Sequence, residues 1–179
     1  MPTMRALGPG SLSSLMKAVL DLVRLVLLVL LAVLAAGLLY GVLAAFNPEM
    51  PFAHRVRFEG LDRVQAWVVV LVRMLTATLF VAGVLVIVSR LREIFATLKA
   101  GDPFAPENVT RLRVVAGGLA GLEAVRYAVW ILGTFLPPQA APDRPNLSLT
   151  AWFSILVVIV LAEVFREGAR LRREAELTI

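Results

Sequence analysis

Three ionisable residues interrupt long apolar segments of this 179-residue chain. Arg73 lies in the segment 66–89, and Glu123 and Arg126 lie in the segment 114–136. If these segments cross a bilayer, each ionised group costs at least ~2.5 kcal/mol near the centre unless it is paired or reaches the surface. Charged residues in such positions are therefore candidates for a binding or transport site.

The spacing of these residues allows two interpretations. Glu123 and Arg126 are three residues apart and Tyr127 follows Glu123 by four, so the three side chains share one helical face. Arg73 comes within reach of this face if the two segments are neighbours, which their short connection favours. In the structural interpretation, one arginine neutralises Glu123, the other reaches the surface, and the charges fix the helix register. In the functional interpretation, an uncompensated arginine in an outward-facing cavity binds an anion or a lipid head group.

Four apolar segments determine the predicted fold class. About 20 residues at a rise of ~1.5 Å cross a hydrocarbon core of about 30 Å. The chain is 59% hydrophobic and 17% charged, whereas soluble domains are ~45–50% apolar and ~25% charged. We predict an all-α integral membrane protein, a four-transmembrane-helix bundle, with an N-terminal tail at 1–16 and one membrane domain at 17–179. The predicted spans are about 20–46, 66–89, 114–136 and 147–165.

The composition excludes several kinds of chemistry. There is no cysteine and a single histidine, His54, so disulfides, thiolate sites and bis-histidine haem cannot form within one chain. No nucleophile–base pair, paired-carboxylate site or phosphate-binding loop is recognisable. We therefore expect no catalytic residues, no metal, no cofactor and no enzymatic activity. Membrane topology explains the net charge of +5, and we expect no direct binding of nucleic acid.

Basic residues are concentrated in three regions: the N-terminal segment, the connection between the second and third spans, and the C-terminal tail. These regions lie on the same side of a four-span protein. The positive-inside rule places that side in the cytoplasm, so both termini are expected there. Trp67, Trp130 and Trp152 fall near the opposite ends of the spans, as expected of aromatic residues at the outer interface.

The connection 90–113 is predicted to form a helical hairpin. Gly101 suits the position just after a helix end, where a left-handed backbone is common. Pro103 prevents the helix from continuing, and Pro106 suits the first position of the next helix because no amide hydrogen is needed there. The expected result is two helices joined by a tight tip on the cytoplasmic side.

Residues 163–176 are predicted to form a C-terminal helix that leaves the fourth span. The ring of Phe104 is expected to pack against Phe95 or Phe165 at the interface. The hairpin and this helix together are a candidate docking surface, although the same residues can serve the fold alone or contact anionic lipid. The candidate docking residues are Arg90, Arg92, Glu93, Phe95, Gly101, Asp102, Pro103, Phe104, Asn108, Arg111, Arg113, Phe165 and Gly168.

Two local patterns remain. Residues 54–60 alternate in polarity and predict a short strand. The pairs Gly37 with Gly41 and Gly117 with Gly121 form small-residue faces that let helix backbones approach closely. We expect these faces to pack within the chain, with assembly into a homo-oligomer as the alternative.

Two groups of residues in the second half of the chain form recognisable motifs. The first group lies in the hairpin and comprises Leu91-Arg92-Glu93-Ile94-Phe95, Gly101-Asp102-Pro103-Phe104, and Asn108 with Arg111-Leu112-Arg113. The second group comprises the C-terminal stretches 164–171 and 176–179. These motifs resemble those of a bacterial membrane family, domain-of-unknown-function family 2975, which includes the YoaS-like proteins. The resemblance implies a multi-pass protein of the bacterial inner membrane with unassigned activity. It transfers no catalytic residue, and the intramembrane charges lie outside its motifs.

The resemblance also implies a partner, because such proteins are often encoded beside a small helix-turn-helix regulator. The leading hypothesis is accordingly a membrane-bound regulator or sensor that docks a cytoplasmic protein through the hairpin and the C-terminal helix. The first alternative is a small transporter, or an anion- or lipid-binding protein, that uses the intramembrane charges. The second alternative is a passive structural bundle in the lipid bilayer.

Overall fold

Four long helices account for most of the described residues of the computed structural model. The structure describes residues 12–47, 49–136, 141–142 and 144–177. The helices are α1 (Leu12–Phe46), α2 (Arg63–Lys99), α3 (Pro106–Gly133) and α4 (Leu149–Glu176). Each is long and apolar enough to cross a membrane, and the described residues contain no strand. The predicted all-helical, four-span fold class is confirmed.

The helices are longer than a bilayer requires. The 37 residues of α2 measure about 55 Å at ~1.5 Å per residue, against a hydrocarbon core of about 30 Å. Large apolar side chains remain exposed along α1, among them Leu25 at 59% and Leu39 at 63%. An apolar surface of this extent is unfavourable in water and favourable in lipid. The chain is therefore a multi-pass membrane protein.

Helix α2 ends where the sequence predicted. Gly101 has a φ of +83°, its amide donates to Leu98 O at 3.1 Å, and the amide of Asp102 donates to Thr97 O at 3.0 Å. This pair of bonds is the Schellman motif, which satisfies the last carbonyls of a helix and favours glycine at the left-handed position. Six residues separate Lys99 from Pro106, the first residue of α3. The helical hairpin is confirmed.

Two compact units can be distinguished, and each has its own core. The first unit comprises the described parts of Met1–Val26, Gly83–Gly121 and Ser148–Ile179. Its core is formed by Ile94, Leu112 and Ala162, with half-buried neighbours such as Phe165. The hairpin and the C-terminal half of α4 both belong to this unit.

The second unit comprises Leu27–Ala82 and Leu122–Leu147. Its core is formed by Ala44, Ala53 and Trp67. The guanidinium of Arg63 donates to the carbonyl oxygen of Ala44 at 3.5 Å. The intramembrane charges of α2 and α3 belong to this unit.

The predicted strand over 54–60 is wrong. Residues Ala53–Arg55 form a short 3₁₀ helix, and the chain from 56 to 58 has no regular structure. The amides of Ala53 and Arg55 donate to carbonyls three residues earlier, at 3.1 and 3.0 Å. A single segment has no second strand to satisfy its backbone groups, so local turns satisfy them instead.

The outer ends of α3 and α4 differ slightly from the predicted limits of the spans. Helix α3 ends at Gly133, and residues 134–136 continue as a turn in which Thr134 N donates to Ile131 O at 3.1 Å. Helix α4 begins after Ser148, whose hydroxyl oxygen accepts a hydrogen bond from Ala151 N at 3.2 Å. Serine is a preferred N-cap because it satisfies an amide that the first turn leaves unpaired.

The two small-residue faces behave differently. A Cβ added at Gly37 or Gly41 would lie 2.8 or 3.1 Å from side chains of α2, so this face packs within the chain as expected. A Cβ added at Gly117 or Gly121 would meet nothing within 4 Å. For this second face the prediction of packing within the chain is wrong among the described residues.

Candidate functional site

Asn108 organises the tip of the hairpin. Its side chain is fully buried, and its Nδ2 donates to Thr97 Oγ1 at 2.7 Å and to Pro103 O at 3.1 Å. Its Oδ1 accepts from Arg111 Nη1 at 2.8 Å. A buried amide needs such partners, and here they join the end of α2 to the start of α3. Because it is enclosed, Asn108 offers no surface for docking and acts within the hairpin.

Glu93 connects the two helices of the hairpin through charge. Its carboxylate accepts from Arg90 Nη1 at 3.1 and 3.0 Å and from Arg111 Nε at 3.1 Å. Burial by itself would raise the pKa of Glu93, but the hydrogen bonds and charges of the two arginines outweigh it, so the pKa lies below its ordinary value. Glu93 lies beyond the apolar part of α2. The neighbouring Arg92 forms an ion pair with Asp21 of α1.

Two contacts fasten the tip to α4. The ring centroids of Phe104 and Phe165 are 5.7 Å apart at an interplanar angle of 55°, within the range of favourable aromatic pairs. A Cβ at Gly168 would lie 2.6 Å from Phe104 Cδ1, so glycine leaves the space that the ring occupies. Asp102 forms an ion pair with Arg172. Of the two partners predicted for Phe104, Phe165 is the one that packs against it.

A groove lies between the first turns of α3 and the C-terminal half of α4; we call it the α3–α4 groove. Its volume is about 590 Å³. Val109, Ala169 and Leu177 give it apolar surface, and Leu177 is 82% exposed. The remaining lining residues are Pro106, Thr110, Arg166, Glu167, Arg170, Arg173 and Glu174.

Most charges beside the α3–α4 groove are paired on the helix surface. Arg170 lies 2.6 Å from Glu167 and 3.5 Å from Glu174, and Arg166 lies 2.6 Å from Glu163. Arg113, another predicted docking residue, pairs with Glu163 across the helices at 3.2 Å. These arginines are therefore partly neutralised within the first unit.

The intramembrane pair forms as its spacing predicts. Arg126 Nη2 lies 2.9 Å from Glu123 Oε2 and donates to Asn146 O at 2.8 Å. The Glu123 side chain is 11% exposed, and its Oε2 has no aligned hydrogen-bond donor among the described residues, so the contact is chiefly electrostatic. The Arg126 guanidinium lies 5.4 Å from the centroid of the Tyr127 ring.

Arg73 does not join that ion pair. Within the described residues, no hydrogen bond or ion pair reaches its guanidinium. Arg73 and Arg126 instead line one cavity of about 490 Å³, whose walls are otherwise apolar except for Thr76. The Thr76 hydroxyl already donates to Val72 O at 2.8 Å. The structure thus brings two of the three predicted charges to one cavity and leaves one of them unpaired.

Sequence reasoning missed two features of these sites. Nothing in the pattern distinguished Asn108 as buried, although its place in a recognisable motif was a signal. Pro142 was not among the candidate site residues, yet it lines the cavity and lies against Gly133. No local signal could have found this contact, because it joins residues nine positions apart in the sequence.

The fold and these sites define a multi-pass, all-helical membrane protein. Residues 55–179 match the family described as "Protein of unknown function (DUF2975)". This match spans well over half of the chain, so the protein belongs to that family, as the motifs predicted. The chain matches no curated protein and no solved structure.

Proposed function

We propose that this protein is a membrane-bound regulator or sensor of the bacterial inner membrane that docks a cytoplasmic protein in the α3–α4 groove. The proposal rests above all on one observation: the groove presents apolar surface, including the exposed Leu177, beyond the apolar segment of α4. A contiguous apolar surface with a rim of charged residues is typical of a surface that another molecule covers. The lining residues on α4 run from Arg166 to Glu174, and an amphipathic helix is one kind of partner that binds in a groove of this kind.

The distribution of charge supports a cytoplasmic location for the groove. It lies beside the connection and the tail, which together carry nine of the 18 basic residues, and the positive-inside rule assigns such regions to the cytoplasm. On this basis both termini face the cytoplasm. The resemblance that implied a neighbouring helix-turn-helix regulator makes a DNA-binding protein the first class of partner to test.

Charge also defines the chemistry of the partner. Arg166 and Arg170 are paired with carboxylates of α4, whereas Arg173 has no ion pair among the described residues. An amphipathic helix with an acidic residue opposite Arg173 would complement both the apolar lining of the groove and the charge of Arg173. The proposed partner is therefore a soluble protein that presents an acidic amphipathic helix.

The test is photo-crosslinking in native membranes. A photoreactive amino acid replaces Thr110, which lines the groove, or Ala175, which is exposed on α4 outside it. We expect a discrete adduct with a soluble protein from position 110 and none from 175. Adducts of equal yield at both positions would overturn the proposal, and an adduct with a second copy of the chain would instead assign the groove to a homo-oligomer.

The captured protein is then purified and titrated against the full-length chain. Ala169→Glu places a charge on the groove floor and Arg173→Glu reverses the free cation; each is expected to weaken binding at least about tenfold. Ala175→Glu is the matched control and should bind like the wild type. Unchanged binding by Ala169→Glu would show that the captured protein does not occupy the groove.

A further inference from the structure

The cavity that contains Arg73 lies within the membrane-spanning part of the second unit. Arg73 is seven residues from Ala66, where the apolar segment begins, so it lies ~10 Å below that end of the segment. An arginine side chain can extend from this depth toward the head-group region while its methylene groups stay in apolar surroundings. The cavity therefore connects the depth of acyl chains with the level of lipid head groups.

Arg73 is the charged lining residue of the cavity whose guanidinium no other described residue engages. Arg126 directs Nη2 to Glu123 and Asn146, and the Thr76 hydroxyl is used by a backbone carbonyl. Arg126 is neutralised by Glu123, so among the described residues that line the cavity Arg73 is the charged residue without an ion pair. An occupant that balances this charge is a monoanion that accepts hydrogen bonds from a guanidinium.

The rest of the cavity wall is apolar. Besides Arg73, Arg126 and Thr76, the lining residues are apolar and include Val72, Ala77, Phe80, Leu122 and Val129. A volume of about 490 Å³ is within the usual range of ~300–1,000 Å³ for small-ligand sites. Such a wall suits a hydrocarbon chain and offers no polar group that would bind a hydrated ion.

We propose that this cavity binds an anionic phospholipid of the bilayer, with its phosphodiester at Arg73 and one acyl chain along the apolar wall. The occupant is a lipid, since a free anion would leave the apolar wall uncovered. This site is independent of the α3–α4 groove and adds a lipid-binding activity to the proposed docking function.

The test uses native mass spectrometry of the purified full-length protein in detergent, titrated with phosphatidylglycerol or phosphatidylcholine of identical acyl chains. The wild type is expected to bind the first phosphatidylglycerol about tenfold more tightly than phosphatidylcholine. Arg73→Gln should remove this preference. Arg57→Gln removes the same charge from the exposed connection between α1 and α2 and should retain it.

A second substitution tests the acyl-chain part. Ala77→Phe fills the apolar wall and is expected to weaken binding of both lipids, with elution volume and helical circular dichroism unchanged; Ala77→Leu serves if the larger side chain prevents folding. The proposal would be overturned if Arg73→Gln kept the preference of the wild type for phosphatidylglycerol. It would also be overturned if Arg57→Gln lost this preference as completely as Arg73→Gln. Displacement of the lipid by excess inorganic phosphate would also overturn it, because the site would then bind the anion alone.

Discussion

The side-chain amide of Asn108 donates a hydrogen bond to the hydroxyl of Thr97 at 2.7 Å and so joins the first turn of α3 to the last turn of α2. The same amide group also bonds to Pro103 and Arg111. One residue thereby fixes both helix ends and the turn between them. The shape of the hairpin tip is a property of this buried polar cluster as much as of the apolar core beside it.

Asn108→Ala is expected to destabilise the first unit by ~1–3 kcal/mol, because three half-buried polar groups lose their partner. Thermal unfolding in detergent measures the effect. Thr110→Ala, two residues further along α3 and exposed, is the control and should change the stability by less than ~0.5 kcal/mol. Equal melting temperatures for Asn108→Ala and the control would contradict the role assigned to Asn108.

Two glycine substitutions isolate the effect of backbone strain on stability. Gly101 and Gly117 both have open space around an added Cβ, but only Gly101 has a positive φ. Gly101→Ala should cost ~1–2 kcal/mol, since a side chain disfavours the left-handed region. Gly117→Ala should be neutral or stabilise the protein by up to ~1 kcal/mol, because alanine favours a helix. A loss of stability in Gly117→Ala would indicate that this face is covered, as by a second copy of the chain.

Glu93 gives the hairpin a dependence on pH. The pKa of Glu93 in the folded protein is lowered from an ordinary value of 4.5. Its ionised carboxylate therefore contributes fully to the stability of the fold above pH 4.5, and this contribution is lost as the pH falls through the lower pKa of the folded protein. We expect the wild type to be more stable than Glu93→Gln at neutral pH. The difference in melting temperature should shrink below about pH 4.5. A difference that stays constant down to acidic pH would show that the charge of Glu93 is irrelevant.

The pair of Glu123 and Arg126 should respond asymmetrically. The Glu123 side chain is 11% exposed and that of Arg126 43%. Arg126→Gln therefore leaves the more buried group, the Glu123 carboxylate, without its partner, and is expected to lower the free energy of unfolding by up to ~3–5 kcal/mol. Glu123→Gln should cost less, since Arg126 retains Asn146 and can extend to the surface. Thermal unfolding of both variants and the double variant measures the coupling. Arg170→Gln, in an exposed pair with Glu167, should cost at most ~1 kcal/mol.

The fold was predictable from the sequence because length and composition suffice to define a membrane span. The hairpin was predictable for a local reason: Gly101 and Pro106 each restrict the backbone in a way that few residues can. The strand over 54–60 was mispredicted because polarity alternation says nothing about the presence of a pairing partner.

The candidate sites were predictable only in part. Glu123 and Arg126 meet through helical spacing, which a sequence displays directly. The separation of Arg73 from Glu123 depends on how α2 and α3 are rotated about their axes, and helices that are apolar on every side carry little information about that rotation. The open face at Gly117 was missed for the same reason.

The short connection between α2 and α3 also governs how proteases act on the chain. Cleavage generally requires a segment to leave the folded structure and extend into the enzyme. The six residues between Lys99 and Pro106 are held by backbone and side-chain bonds at both ends, so they cannot extend without breaking the Asn108 cluster. The rate of nicking at this tip therefore measures how often the hairpin opens.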